Sequence, residues 1–415
     1  MLCRMATAPL KDHHERYARV ESLRLGGVAV EAEWLPYGVG EGAAAGAGLP
    51  EIVATYGLLE LEYAAFRRGA AVLDRGHRGT IVVEGADRIE FLNRMVTQDL
   101  KGMQPGEARA AWWLNRKGRI EADLLLCEVP AAAEGGAPVV LVDCDVHDAA
   151  RTVETLSAFL FAEDVRLRDA RAEWARLAVH GPAAVEVLAH AGADPAALEP
   201  LVRDGTVVRA EVGGAPCILA RRDECGCPGI ELFVPPAQAG AVWDSLVSQH
   251  DVQDGGKRRA RPAGWHAFNI ARIEAGTPLF HVDYGPENLP HETGVIGTRT
   301  SFRKGCYLGQ EVVARMESLG KPKQRLVGVR FGGEALPVAG APVFERAADG
   351  TPGNPVGTIT SSTLSPMLGA ACVGFAMVRT AYTEPGTVLA VPADGERAEA
   401  TVQPSLRTLP AEAAS

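Results

Sequence analysis

The sequence predicts an α+β protein that ends in a small antiparallel β-barrel. At about 150 residues per domain, 415 residues are enough for two to three domains. Before residue 322, strand-like and helix-like segments come in groups, not in strict alternation, which is typical of α+β lobes. Beyond Pro322, short β-type runs alternate with Gly/Pro turns about every dozen residues, as in a small barrel or sandwich.

Hydrophobic periodicity predicts the elements of the first half of the chain. Residues 1–50 are expected to form an N-terminal arm that ends in a Gly/Ala-rich loop at 38–50. The predicted elements that follow are a helix over Val53–Arg68, a strand over Gly79–Glu84, a helix over Asp87–Thr97, strands near 109–115, 122–129 and 139–142, and a helix over 148–161.

The same grouping then recurs up to residue 322, so that residues 51–322 are predicted to form a core of two interleaved lobes. The predicted elements are strands at 174–179, 205–220 and 230–234, helices at 183–191 and 238–249, and a polar loop at 253–264. A domain boundary is expected near Lys321–Lys323. Residues 323–415 would then form the barrel, with a disordered tail over 405–415.

Composition and charge exclude several classes of protein. Acidic residues exceed basic ones by 52 to 42, and the resulting charge of −10 argues against a general nucleic-acid binder. No run of 18 apolar residues is present and the N-terminus lacks the pattern of a secretory leader, so a membrane span and secretion are not expected. Eight cysteines without a CxxC pair predict free thiols in a reducing cytoplasm and no metal site.

The most informative segment is residues 303–315, RKGCYLGQEVVAR. Its glycines, Gly305 and Gly309, allow a tight backbone path, and a helix is predicted from Gly309 to Ser318. Cys306 would lie just before that helix and two residues from Lys304, and both the helix dipole and the lysine would favour a thiolate. The alternative is that Cys306 is a small buried apolar residue.

Other features of this kind have simpler interpretations. Glu311 and Arg315, four residues apart on the predicted helix, would by default form a surface ion pair. Cys225 and Cys227 would face the same way on a strand, but no second pair completes a metal site. His77, next to a strand, is expected to be a structural hydrogen-bonding residue.

The segment KGCYLGQE resembles the signature of YgfZ-type folate-binding proteins, relatives of the glycine cleavage T-protein (aminomethyltransferase). Further blocks follow the order of that family from about residue 56 to residue 403. They include residues 70–100, 115–124, 179–188, 228–235, 271–280 and 357–375, and Pro290-His291-Glu292 before the signature. The resemblance implies a ring of lobes around a tetrahydrofolate site, capped by the C-terminal barrel.

The resemblance also assigns roles to individual residues. Glu231 matches the glutamate that contacts the pterin, Arg272 matches a folate-contacting arginine, and Asp123 matches an aspartate near the reactive N5/N10 side of the folate. Cys306 would carry thiol chemistry within the signature. The signature residues are Lys304, Gly305, Cys306, Tyr307, Gly309, Gln310, Glu311 and Arg315.

Departures from the T-protein pattern bear on the choice of function. Ala122 stands where T-proteins have a second aspartate, Glu224 replaces a tyrosine, and Phe268-Asn269 replace an Arg-Asp pair. The resemblance and these departures favour a cytoplasmic tetrahydrofolate-binding protein that supports the assembly or repair of iron–sulfur enzymes, which would be its partners. The alternatives are a folate-dependent aminomethyltransferase or demethylase of the T-protein type and a folate-binding scaffold without chemistry.

Overall fold

A computed structural model describes residues 10–38, 50–131, 136, 138–248, 259–346 and 352–409. The predicted loops at 38–50 and 253–264 and the tail at 405–415 therefore fall partly outside the described residues. Within the described part of the chain, none of the helices combines the length and the apolarity needed to cross a lipid bilayer.

The structure confirms the α+β fold class with its C-terminal barrel. The helices are α1 (Lys11–Arg24), α2 (Leu59–Arg68), α3 (Arg88–Met95), α4 (Ala149–Ser157), α5 (Ala184–His190), α6 (Pro195–Leu198), α7 (Ala239–Ser248), α8 (Trp265–Ala275), α9 (Ile296–Arg299) and α10 (Gln310–Leu319). The first strands are β1 (Glu33–Pro36), β2 (Glu51–Thr55), β3 (Ala70–Asp74), β4 (Arg78–Glu84), β5 (Glu107–Leu114), β6 (Ile120–Val129), β7 (Val139–Asp145) and β8 (Arg166–Asp169).

Eleven further strands and five short 3-10 turns complete the described part of the chain. The strands are β9 (Ala175–His180), β10 (Val207–Val212), β11 (Ala215–Arg221), β12 (Gly229–Val234), β13 (Ala260–Pro262), β14 (Gln324–Phe331), β15 (Pro342–Arg346), β16 (Pro352–Ser365), β17 (Ala371–Arg379), β18 (Val388–Ala393) and β19 (Glu396–Val402). The 3-10 turns are Glu199–Val202, Pro236–Gln238, Pro290–Glu292, Pro366–Leu368 and Thr380–Tyr382.

Two large sheets and the two-stranded sheet β1-β2 precede the barrel. One has five strands in the order β5-β6-β7-β4-β8, and the other has six in the order β10-β11-β12-β9-β3-β13. The chain starts the six-stranded sheet with β3, leaves it to build the five-stranded sheet, and returns with β9. One apolar cluster draws side chains from both sheets, including Leu125, Leu141, Ile218 and Phe233, and this joins the sheets face to face.

The barrel closes in the order β14-β17-β16-β15-β18-β19, with β19 hydrogen-bonded to β14. Closure removes the free strand edges that an open sheet would expose. Its wall packs against α8 through a cluster that includes Ile273, Leu326 and Phe375. Helix α8 therefore touches both the barrel and the sheets.

Three predicted elements are corrected by the structure. In the polar loop predicted over 253–264, residues 260–262 form β13 and pair with β3. The helix predicted over Val53–Arg68 begins only at Leu59, because residues 51–55 form β2 and pair with β1. The part of the tail that the structure describes is ordered against α8. Leu406 belongs to the apolar surroundings of Ile273, and the amides of Thr408 and Leu409 donate to the carbonyl of Glu274.

Helix α1 was not predicted, because its sequence has no apolar stripe. Its packing depends on His14, which is fully buried and whose ring nitrogens lie 2.6 Å from the Tyr56 hydroxyl and 3.1 Å from the Asp74 carboxylate. The ring also lies edge-on to Trp243, with centroids 4.4 Å apart. A polar residue thus fixes α1 to the six-stranded sheet, next to the site described below.

Candidate functional site

Asp123 lies on β6 with two partners from distant parts of the chain. Its carboxylate accepts a hydrogen bond of 2.8 Å from the Tyr284 hydroxyl and one of 2.9 Å from Arg299 Nε. Trp112, its cross-strand neighbour on β5, donates from Nε1 to the Tyr284 oxygen at 3.3 Å. Burial raises the pKa of Tyr284, as does the charge of Asp123, so the phenol remains a proton donor. The carboxylate is therefore fixed in orientation, and its charge is compensated by Arg299.

The segment between α8 and α9 holds Tyr284 in place. The carboxylate of Asp283 accepts from Arg272 on α8 and from the Ser361 hydroxyl at 2.6 Å on the barrel strand β16. On the other side of the segment, His281 Nε2 lies 2.9 Å from a carboxylate oxygen of Asp148, just before α4. Anchors on α8, on the barrel and at the start of α4 therefore determine where Tyr284 meets Asp123.

Glu231 lies on β12 in a buried ion cluster between the two sheets. We define the inter-sheet ion cluster as Arg75, Arg78, Asp143, Arg176, His180, Arg222, Glu224 and Glu231. Asp143 accepts from three of its arginines, Glu224 pairs with Arg75 at 2.7 Å and Arg222 at 3.0 Å, and Glu231 accepts from Arg176 at 3.1 Å.

The arginines keep these carboxylates ionised although the cluster is buried. Burial alone would raise the pKa of Asp143, but the charges of Arg78 and Arg176 outweigh it and hold the pKa well below its ordinary value. Burial opposes ionisation of Glu231 in the same way, and Arg75 is the strongest influence that lowers its pKa. The centre of the molecule is therefore strongly polar and preorganised.

Several atoms of this cluster keep unused hydrogen-bonding capacity. Among the residues that the structure describes, Glu231 Oε1, Arg75 Nε and Nη1, and both ring nitrogens of His180 are buried without a hydrogen-bond partner. A small pocket beside Arg75 is lined by His77, Trp265 and Phe268, with aromatic rings on one side. The pocket has a volume of about 10 Å³, which is room for about one water, and its lining includes Arg75 but neither Glu231 nor His180.

The signature segment is fixed to the C-terminal end of α3 by Lys304. Its ammonium donates to the backbone carbonyls of Asn93, Val96 and Gln98 at 2.6, 2.7 and 2.7 Å, around the C-terminal end of α3. Burial lowers the pKa of Lys304 to about 8. The lysine thus serves as a C-terminal cap of α3, and its ammonium is engaged by these carbonyl groups.

The following residues of the signature dock on the Asp123 site. Tyr307 is buried in an apolar cluster with Trp112 and Tyr284. Gly309 has a φ of +81° and approaches the turn between β5 and β6 so closely that a Cβ would lie 2.7 Å from the carbonyl oxygen of Asn115. Only glycine fits this conformation and this approach without strain.

Other signature residues face outward. Helix α10 begins at Gln310, one residue after the predicted start, and Glu311 and Arg315 are exposed on it. Gly305 has open space around its Cα, and Cys306 is exposed. The competing expectation of a buried Cys306 is therefore excluded, while its thiol role stays a prediction.

The guanidinium of Arg272 is used for contacts within the protein. Its guanidinium donates to Asn269, Asp283, Ser361 and the carbonyl of Thr277, so that all three nitrogens have protein partners. It is fully buried and joins α8 to the barrel. The folate contact inferred for Arg272 from the resemblance has no free donor here.

Three further predicted residues lie near the ion cluster. Cys225 is buried in the apolar layer between α2 and α8, with Cys227 packed against that layer. His77 is buried between the rings of Tyr37 and Trp265. Its Nδ1 has no partner in the described structure, so the expected structural hydrogen bond from that atom is absent.

Among the described residues, two groups of side chains have the spacing of metal ligands. They are His180, Glu224 and Glu231 in the ion cluster, and Asp145, Asp148 and His281 near the Tyr284 segment. The first shares its carboxylates with three arginines, which disfavour a cation. In the second, the ligand atoms already pair with each other or with Tyr37. Neither arrangement favours metal ligation over ion pairing.

The family resemblance singled out Asp123 and Glu231 as candidates but gave no sign of most of the residues that hold them. Tyr284 and Arg299 reach Asp123 from more than 160 positions away, and Arg75 reaches Glu231 across 156 positions. One local signal was available, since Arg75 and Arg78 directly follow and begin buried strands, where an unpaired arginine would be costly.

Comparisons with known proteins place these features in a family. Residues 51–302 match the family described as the GCVT N-terminal domain, and residues 324–406 match the glycine cleavage T-protein C-terminal barrel domain. A probable aminomethyltransferase of Halobacterium salinarum is 30% identical over 353 residues, which cover 83% of this chain and 89% of that protein. An aminomethyltransferase of Geobacillus kaustophilus is 30% identical over 356 residues, 85% of this chain and 91% of that protein.

A solved structure supports the fold. The glycine cleavage system aminomethyltransferase T from Bartonella henselae superposes with a TM-score of 0.79, covers 98% of both chains and is 22% identical. At that identity the likeness establishes the shared architecture of sheets and barrel.

The relatives correct the functional prediction made from the sequence. Proteins about 30% identical over more than four-fifths of the chain are named aminomethyltransferases. The prediction of an iron–sulfur assembly protein of the YgfZ type, with iron–sulfur enzymes as partners, is therefore wrong. It gave the signature segment more weight than the agreement along the rest of the chain.

Proposed function

Because the chain belongs to the glycine cleavage T-protein family, we propose that it is a tetrahydrofolate-dependent transferase of an aminomethyl group. The observation that carries the proposal is the fixed carboxylate of Asp123, held by Tyr284 and Arg299 at the position where the family has its aspartate beside the reactive folate nitrogens. In addition, Glu231 Oε1 is buried beside Arg75 and has no hydrogen-bond partner among the described residues.

Tetrahydrofolate, when bound, supplies the N5 and N10 nitrogens that accept the one-carbon unit. The residues of this chain bind it, orient it and handle protons. Asp123 would hold or accept a proton at a carboxylate oxygen. Its carboxylate is suited to this because the Tyr284 phenol and the Arg299 guanidinium together fix its orientation. Glu231 would accept from the N–H and amino groups of the pterin.

The departure from the T-protein pattern at Glu224 has a structural explanation. Glu224, where the family pattern has a tyrosine, is paired with Arg75 and Arg222. Burial opposes its ionisation, but Arg222 and Arg75 together lower its pKa. An aromatic contact to the ligand is therefore replaced by an ion pair that supports the arginine beside Glu231.

A substitution at Asp123 tests the proposed function. Asp123→Asn keeps the size of the side chain and an acceptor for Tyr284 but removes the charge. We expect glycine-cleavage exchange in the presence of tetrahydrofolate to fall by roughly 10²- to 10⁴-fold, the usual contribution of a positioned proton-transfer group. Tetrahydrofolate binding measured by titration calorimetry should change by less than about threefold, because the pterin contact is elsewhere.

Glu121→Gln is the matched control, since Glu121 lies two residues earlier on the same strand and pairs with exposed Arg151. It should retain the exchange rate of the unmodified protein. Exchange that is independent of tetrahydrofolate, or unchanged in Asp123→Asn, would contradict the proposed function.

A further inference from the structure

His281 has a strained backbone conformation beside the Asp123 site. Among the residues that the structure describes, three non-glycine residues have a positive φ, namely His281 at +67°, Ala370 at +61° and Asp394 at +50°. Ala370 and Asp394 are exposed in turns between barrel strands. His281 lies in the segment that carries Tyr284, at a position where glycine would adopt this conformation without strain. Backbone strain of this kind persists where the surrounding structure compensates for it, and it is concentrated at functional sites.

The side chain of His281 provides the compensation. Its Nε2 lies 2.9 and 3.0 Å from the two carboxylate oxygens of Asp148, a contact that a glycine could not make. Its ring also packs on the ring of Phe280, with centroids 4.1 Å apart. The histidine therefore accepts backbone strain in return for an attachment to Asp148.

Asp148 is fixed relative to the sheet that carries Asp123. It comes three residues after the end of β7, and β7 pairs with β6, the strand of Asp123. The next residue, Ala149, begins α4 and is buried in the apolar core of the five-stranded sheet. The contact with His281 therefore ties the segment to the strand that neighbours β6.

A closed turn transmits this attachment to Tyr284. The amide of His281 donates to the carbonyl of Tyr284 at 2.7 Å, and the amide of Asp283 donates to the carbonyl of Leu279 at 2.8 Å. The positions of the imidazole and of the phenol are therefore coupled. Loss of the contact with Asp148 would leave the turn tied to α8 and to the barrel by Asp283, but the phenol would have more freedom to shift relative to Asp123.

We propose that His281 is a positioning residue for the transfer reaction, which acts through Tyr284 by holding its phenol in the hydrogen bond to Asp123. This inference rests on the proposed function, and it adds that the strained turn contributes to turnover and not to ligand affinity. A displacement of about 1 Å at a reacting group can lower a rate by about 10²-fold. Loss of the contact should therefore lower kcat and leave the KM for tetrahydrofolate nearly unchanged.

Substitution of His281 by glycine separates the role of the side chain from that of the backbone. His281→Gly removes the imidazole and relieves the strain, and urea unfolding checks that the variant is folded. The kcat of tetrahydrofolate-dependent glycine-cleavage exchange should fall by roughly 10- to 100-fold, whereas the KM for tetrahydrofolate should change by less than about threefold. Ala370→Gly, which relieves the same kind of strain in the barrel, is the matched control and should retain the kcat of the unmodified protein.

Two further variants test whether the effect passes through Asp148 and Tyr284. Asp148→Ala removes the partner of the imidazole and should lower kcat by the same factor as His281→Gly, with no further loss when the two substitutions are combined. In Tyr284→Phe the hydroxyl that His281 positions is absent. Adding His281→Gly to Tyr284→Phe should therefore change kcat by less than about threefold, whereas a merely structural role would give the same factor in both backgrounds.

The outcomes separate this inference from the proposed function. Absence of tetrahydrofolate-dependent exchange in the unmodified protein would overturn both. Exchange in the unmodified protein with an unchanged kcat in His281→Gly would overturn the inference alone, as would equal losses with and without the Tyr284 hydroxyl. If His281→Gly does not fold, Asp148→Ala provides the same comparison, and an unchanged kcat in that variant would overturn the inference.

Discussion

Substitution of Lys304 by methionine tests the structural role of the signature segment. Methionine has a similar length and keeps the apolar stem but removes every donor from the three carbonyl groups around the end of α3. Tyr307, whose ring centroid lies 5.2 Å from the ammonium, would lose a neighbouring cation as well.

The structure gives the magnitude of the loss. Hydrogen bonds to a charged group contribute about 1.5–3 kcal/mol each, but the three bonds share one ammonium and therefore one desolvation cost. The lowering of the Lys304 pKa to about 8 by burial shows that this cost is substantial. We expect the free energy of unfolding to fall by about 2–4 kcal/mol, between one such bond and a broken buried ion pair.

Urea unfolding followed by tryptophan fluorescence measures this change, because Trp112 lies in the same apolar cluster as Tyr307. Lys321→Met, at an exposed lysine beyond α10, is the control and should change the free energy by less than about 0.5 kcal/mol. A Lys304→Met protein as stable as this control would refute the argument that the ammonium caps α3.

Two further predictions concern backbone strain and pH. Gly309→Ala should lower the free energy of unfolding by about 2–4 kcal/mol in the same urea assay, because a Cβ at this position of positive φ would meet the Asn115 carbonyl. The control Gly305→Ala, in open space, should change that free energy by less than about 0.5 kcal/mol. Equal effects of the two substitutions would contradict this reasoning. Burial works against protonation of His281, but its hydrogen bond to Asp148 raises its pKa above the ordinary 6.5. The stability difference between the unmodified protein and His281→Gln should therefore be largest below about pH 6.5 and shrink as the pH rises through the raised pKa; a difference that grows with pH in urea unfolding would show that the pair does not act in this way.

Local pattern predicted most strands and helices because their burial follows their periodicity. The barrel strands β16 and β19 alternate over part of their length, as a sheet with one buried face requires, whereas β5 and β6 end in continuous buried runs. Residues 51–55 were missed because their strand depends on β1, a partner that hydrophobic pattern alone did not reveal. Helix α1 was missed because a histidine carries out its packing, and periodicity counts apolar residues only.

From the sequence, candidate site residues could be named only at positions where the residue type matches the one in the family's motifs. Asp123 and Glu231 were proposed in this way, and their roles toward a ligand stay predictions; in the structure Asp123 is half-buried and Glu231 is buried. The same procedure assigned Arg272 to a ligand, but its donors are satisfied by the barrel and by Asp283. Sequence alone cannot distinguish these cases, since they depend on which long-range partner takes each hydrogen bond.

The position of His14 shows that the boundary of homology and the boundary of the folded unit differ in this protein. The family match begins at residue 51, yet a side chain from before that point lies against Asp74, next to Arg75. A chain trimmed to the matched residues would leave the Tyr56 hydroxyl and the edge of Trp243 uncovered. Helix α1 therefore belongs to the folded unit although it lies outside the matched residues, and its removal would expose a carboxylate that directly precedes Arg75.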